Sequence, residues 1–96
     1  MLQFVIIAED GTDDQALERR MAVRPRHFEG ARKLKAENHF IVGGAILDAN
    51  GKMSGSVMIV QFETEEALQD WLRSEPYISG NVWQKVTVKP FKVADV

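Results

Sequence analysis

The sequence predicts a small α+β domain with one four-stranded antiparallel sheet and its helices packed on one face. Three observations carry that reading. Four short segments rich in β-branched and aromatic residues are separated by segments with helical spacing. Turn signals, above all Asn50-Gly51, divide the strand segments. The 96 residues, 45% hydrophobic and 27% charged, have the composition of one globular domain spanning 1–96, with no linker, repeat or low-complexity stretch.

Leu2 to Ala8 is a nearly unbroken apolar run and reads as a buried, central strand. Glu9-Asp10-Gly11 reads as the turn after it. Thr12 or Asp13 is placed to cap a helix carrying Leu17 and Met21 on one face. Pro25 predicts a bend at Arg24 and a second helix from Pro25 to about Glu37, because proline disfavours a helical residue before it and suits the first helical position.

Phe40 to Leu47 is the second strand. Gly43-Gly44 marks either a bulge or a close approach of a backbone or ligand. Asp48 to Lys52 is a turn, and Ser56 to Phe62 the third strand. Thr64 caps a helix whose first turn is acidic and whose apolar face is Ala67, Leu68, Trp71 and Leu72. Ser74 to Gly80 reads as a loop, and Val82 to Phe91 as the fourth strand. The order β-α-β-β-α-β is that of ferredoxin-like domains. The sheet face away from the helices also reads as apolar, through Val5 or Phe4, Met58 and Trp83, and so requires cover. Pairing of two sheets in a homodimer, as a dimeric α+β barrel, would supply it.

Composition narrows the function classes. A net charge of −2 with interspersed signs leaves no basic track for nucleic acid. No run approaches the roughly 20 apolar residues of a membrane span, and no basic n-region with cleavage site is present. There is no cysteine, hence no disulfide or thiolate chemistry. The expected location is cytoplasmic.

Two histidines are the candidate chemical groups. His39, before a strand, reads as a surface turn residue. His27 lies on the helix stripe with Ala31 and Leu34 and so points toward the sheet. One reading is a hydrogen-bonded core histidine. The other is a proton acceptor near neutral pH. Metal binding has little support, since Arg24, Gly30 and Ala31 occupy the helical positions that would hold a second ligand beside His27. Arg24 and Arg26 flank His27 and suit an anionic substrate, although Arg26 fits a solvated face better. No sequence-local residue supplies a carboxylate to His27; Glu29, Asp48 and Glu75 are each explained as solvated or turn residues.

The chain resembles the YciI-like family along nearly its whole length. The matching stretches are Ala8-Glu9-Asp10, Arg20 to Phe28, Gly43-Gly44, Gly55 to Ile59, Glu75-Pro76-Tyr77, Gly80 to Trp83 and Val86 to Lys92. The resemblance implies a dimeric ferredoxin-like fold with a cleft holding a histidine–carboxylate pair. His27 falls on the family histidine and Glu75 on its acidic partner. Ser56 and Tyr77 fall on the cleft lining. Glu75 stands where the family commonly has Asp, which adds a methylene and about 1 Å of reach. Gly44 stands in the place of a frequent proline.

These residues give three alternatives. The first is a cofactor-free acid/base enzyme, of lyase, isomerase or dehydrochlorinase type, using His27 and Glu75 on a small organic molecule held by Arg24, Ser56 and Tyr77. The second is a non-catalytic small-molecule-binding dimer, and the third an accessory subunit docking through its sheet.

Overall fold

A computed structural model describes residues 1–96 as β1 (Leu2–Asp10), α1 (Ala16–Ala36), β2 (Phe40–Leu47), β3 (Met53–Phe62), α2 (Glu65–Ser74), α3 (Pro76–Ser79) and β4 (Trp83–Phe91). All strand pairs are antiparallel, in the order β2-β3-β1-β4, with β1 and β3 central. This is the ferredoxin-like fold that the element order predicts. No helix is long and apolar enough to cross a membrane.

Strand alternation decides what the sheet shows to each side. In β1, Phe4, Ile6, Ala8 and Asp10 are buried, and in β3 so are Ser56, Met58, Val60 and Phe62. They pack with Val23 and Leu34 of α1, Leu68 and Leu72 of α2, Tyr77, Val82 and Trp83 in the core. Phe4, Met58 and Trp83 therefore belong to the helix side, which corrects their placement on the outer face. The outer face is built instead by the register Val5↔Ile59 and Ile7↔Val57, flanked by Val42 of β2 and Phe91 of β4.

Pro25 does not break the helix. α1 runs unbroken for 21 residues, with Pro25 inside it. Proline lacks the N–H that would bond the Met21 carbonyl, and packing of the helix on the sheet overrides that loss. The helix also starts later than expected. Gln15 is its N-cap, without a side-chain cap bond. Asp13 instead accepts from the Gln15 amide and from the two terminal guanidinium nitrogens of Arg19, and Arg19 holds its carboxyl down at about 2. At the other end Asn38, with φ 64, reverses the chain, and His39 Nδ1 donates to the Gln61 carbonyl at 2.8 Å. His39 is thus half-buried and structural.

The remaining joints follow local chemistry. Gly51 has φ 79, and Asp48 Oδ1 accepts from the Asn50 and Lys52 amides at 2.8 and 3.0 Å, closing the β2–β3 turn. Thr64 caps α2 through the Ala67 amide at 3.1 Å. The stretch expected as a loop after α2 contains the short α3, with Pro76 in its first turn and Glu75 as its N-cap.

Replacing Pro25, which is exposed, with Ala restores one helix bond but loosens the unfolded chain. The net expectation is a gain of about 1–2 kcal/mol in unfolding free energy, read by urea denaturation. A loss of stability would mean that the helix needs proline at this position.

Candidate functional site

The stripe that α1 turns toward the sheet is Arg20, Val23, His27 and Leu34, all buried. Two of its four positions are ionisable, so burial demands partners for them. Both find one.

His27 meets Glu75 from the far end of α2. Nδ1 and Oε1 are 2.5 Å apart, with side chains 9% and 2% exposed. A carboxylate only accepts, so the ring Nδ1 carries the hydrogen and Nε2 is left to act as base. Glu75 is fixed by its own backbone role. It ends α2 and caps α3, with Oε1 also accepting from the Tyr77 amide at 3.2 Å. The longer Glu side chain, in place of Asp, still closes the pair. Tyr77 stacks on the imidazole, ring centroids 3.9 Å apart and 12° from parallel, and Trp83 meets its edge at 5.8 Å. The imidazole can neither swing nor flip without displacing these rings.

Arg20 meets Asp10, the last inward residue of β1, at 3.0 Å, and both side chains are 4% exposed. Its other terminal nitrogen donates to Ser56 Oγ at 3.0 Å, and Trp83 Nε1 donates to the same oxygen at 3.1 Å. With two donors already on its oxygen, the Ser56 hydroxyl has its own hydrogen to give elsewhere. This Asp10–Arg20–Ser56–Trp83 network did not emerge as a unit from the sequence. The available signal was parity: Phe4, Ile6 and Ala8 alternate inward, and Asp10 continues the series.

A cavity of about 300 Å³ opens between α1 and the β2–β3 edge, lined by residues including Arg20, Arg24, His27, Ser56, Phe28, Phe40 and Met58. It exists because β2 offers almost no side chain there. Gly43 and Ala45 pair with Met58 and Ser56 and so face the helix. A Cβ at Gly43 would lie 3.2 Å from Met58 and Phe40, so a larger residue there would push on both. The register shifts of β2 fall at Phe40/Val42 and Ile46/Leu47, so the glycine pair is no bulge.

Of the predicted residues, His27, Arg24 and Ser56 share this cavity wall. Arg24 lies over the Phe28 ring at 4.5 Å. Glu75 and Tyr77 stand behind His27 and are not part of the wall. Tyr77, expected to line the cleft, is fully buried beneath the imidazole, so its contact is with the His27 ring. Arg26 and Glu29 are exposed. No three His, Asp or Glu residues converge in a set that would hold a metal.

Residues 2–92 match the family model for the YCII-related domain. The chain belongs to this family. A relative from Haemophilus influenzae, an uncharacterised protein, is 39% identical over 97 residues, covering 95% of this chain and 97% of the relative. Protein YciI of Escherichia coli is 37% identical over 95 residues, covering 93% and 95%. Among solved structures, the 5-chloro-2-hydroxyhydroquinone dehydrochlorinase of Burkholderia phenoliruptrix, in complex with 2,5-dihydroxybenzoquinone, superposes with a TM-score of 0.83. It is 23% identical over 96% of this chain and 95% of that one, which establishes a shared fold with the YCII-related chain.

Tyr77 is the weak point of the polar core. Its hydroxyl is buried without a partner. Burial pushes the phenol above its ordinary value near 10, and the Arg20 and Arg24 charges pull back less strongly. The unfolded chain therefore releases the phenol proton first as pH rises past about 10, and the native state loses stability there. Tyr77→Phe is expected to match or exceed the native stability by up to about 1 kcal/mol at neutral pH and to flatten the alkaline decline in thermal melts. A variant losing 2 kcal/mol or more would show that the hydroxyl has a partner after all.

Proposed function

We propose that the chain is an acid/base enzyme that needs no cofactor and acts on a small organic molecule in the cavity between α1 and β2. The observation that carries this reading is the buried His27–Glu75 pair at 2.5 Å, with the histidine on the cavity wall. His27 Nε2 removes a proton from the bound molecule. Glu75 is a positioning residue: it orients the ring and stabilises the imidazolium that forms. Returning the proton to another atom completes an isomerisation, and loss of a leaving group completes an elimination. The dehydrochlorinase of the same fold carries out a reaction of the second kind. Ser56 and Arg24 bind the substrate, Ser56 by the hydrogen its two donors leave free.

The outer sheet face supports the second part of the reading, a homodimer. Ile7, Val42 and Phe91 are 37%, 54% and 42% exposed on a face that also carries Val5, Val57 and Ile59. A second copy laid on this face buries it.

Two measurements check these statements. In long-range ¹H–¹⁵N spectra, neutral His27 is expected as a single Nδ1–H tautomer with a strongly deshielded proton, and Glu75→Gln is expected to abolish that signal. Deuterium exchange or halide release across small carbon acids and halogenated phenols should fall about 10²–10⁴-fold in His27→Gln. A tautomer mixture in the native protein would sink the dyad and leave a binding dimer. Light scattering at micromolar concentration should give a two-chain mass, and Ile7→Glu a one-chain mass. A native monomer removes the dimer.

A further inference from the structure

The cavity has a charge pattern that the proton-transfer chemistry does not need. Arg20, Arg24, Arg32 and Lys35 line it together with His27, and no Asp or Glu does. Four of the chain's twelve Lys and Arg residues are thus gathered at one cavity of a protein whose net charge is −2. Arg20 is spent on Asp10 and Ser56. The other three are free. The ion pairs of the chain are Arg19–Asp13, Arg20–Asp10, His27–Glu75, Arg73–Asp70 and Lys85–Glu9, so Arg24, Arg32 and Lys35 have no carboxylate partner.

A solvated helix face ordinarily mixes signs, and α1 does so elsewhere: Lys33 stands four residues after Glu29 and four before Glu37. The stripe Arg24, Phe28, Arg32, Lys35 contains no acid. Between the cations the wall is apolar, formed by Phe28, Ala31, Phe40 and Met58. Guanidinium groups bind a carboxylate through paired charge-assisted bonds, about twice as strong as neutral ones. A closed space of about 150 Å³ holds one benzene ring. The roughly 300 Å³ available therefore holds a single ring with substituents, or a short chain.

We infer that the ligand is a small organic acid. Its carboxylate sits among Arg24, Arg32 and Lys35, its hydrocarbon body lies against Phe28, Phe40 and Met58, and its reacting carbon is presented to His27. Along the helix axis His27 lies about 4.5 Å from Arg24 and about 7.5 Å from Arg32, so the cations flank the base at the scale of one ring. This substrate class rests on the reading of the cavity as the reaction site.

The test uses benzoate and its neutral isostere benzamide, each titrated into the native protein by amide NMR. Benzoate is expected to saturate shifts at Phe28, Gly43 and Ala45, and to bind at least about tenfold more tightly than benzamide. The double variant Arg32→Gln/Lys35→Gln, altered only at exposed positions, should weaken benzoate about tenfold or more and leave benzamide unchanged. Salt near 1 M, where screening acts within about 3 Å, should weaken benzoate alone. Ala45→Leu, which fills the cavity from the strand side, should remove both. Equal affinity for the two probes, no saturation by benzoate, or an unchanged double variant overturns the inference. The His27→Gln variant separates the two readings. Charge-selective binding that persists there, beside a native protein silent in exchange and elimination, keeps the acid site and ends the enzyme reading. Turnover of a neutral substrate by the native protein at least as fast as that of its carboxylate counterpart keeps the enzyme and ends the organic-acid class.

Discussion

The structure turns on the need to neutralise two ionisable side chains that α1 drives into a small core. Burying an unpaired charge costs several kcal/mol, comparable to the whole stability of a domain this size. Arg20 and His27 therefore dictate what must stand opposite them. Asp10 takes the last inward position of β1, Glu75 the joint between α2 and α3, and Ser56 Oγ accepts from the second terminal nitrogen of Arg20 and from Trp83 Nε1. The ordinary hydrophobic core, from Phe4 and Val60 to Leu68 and Leu72, fixes the sheet and helices so that these partners meet. Apolar burial makes the frame, and polar satisfaction makes it unique.

Much of this frame was legible in the chain. Four strands, the Thr64 cap and the turn at Gly51 follow from local chemistry, since each depends on residues within a few positions of one another. Pro25 argues locally for a break, but the sheet lies beneath the helix and packing on it keeps α1 continuous. The identity of the outer face is likewise not set locally. Whether Phe4 or Val5 points inward is decided by one residue of register, and a continuous apolar run such as Leu2 to Ala8 carries no alternation to settle it.

The site divides along the same line. His27 could be placed on the sheet-facing stripe by helical spacing. Its carboxylate could not be found that way, because Glu75 is 48 residues distant and looks like a turn acid; the family pattern pointed to it. The unpaired cations Arg32 and Lys35 were legible only as charges on a helix. Their common direction appears once β2 lies beside them with glycine and alanine facing inward. Tyr77 shows the opposite error: a correct neighbourhood, and a depth that only packing reveals.

Glu75 has one more consequence. A single residue ends one helix, begins the next and holds the His27 imidazole. Changing it disturbs the chain path and the setting of the imidazole together. The opposite wall is an edge strand whose Gly43 and Ala45 belong to no helix cap. The architecture is thus two-sided: one side of the cavity fixes the imidazole, while on the other the bulk at Ala45 sets how much space remains.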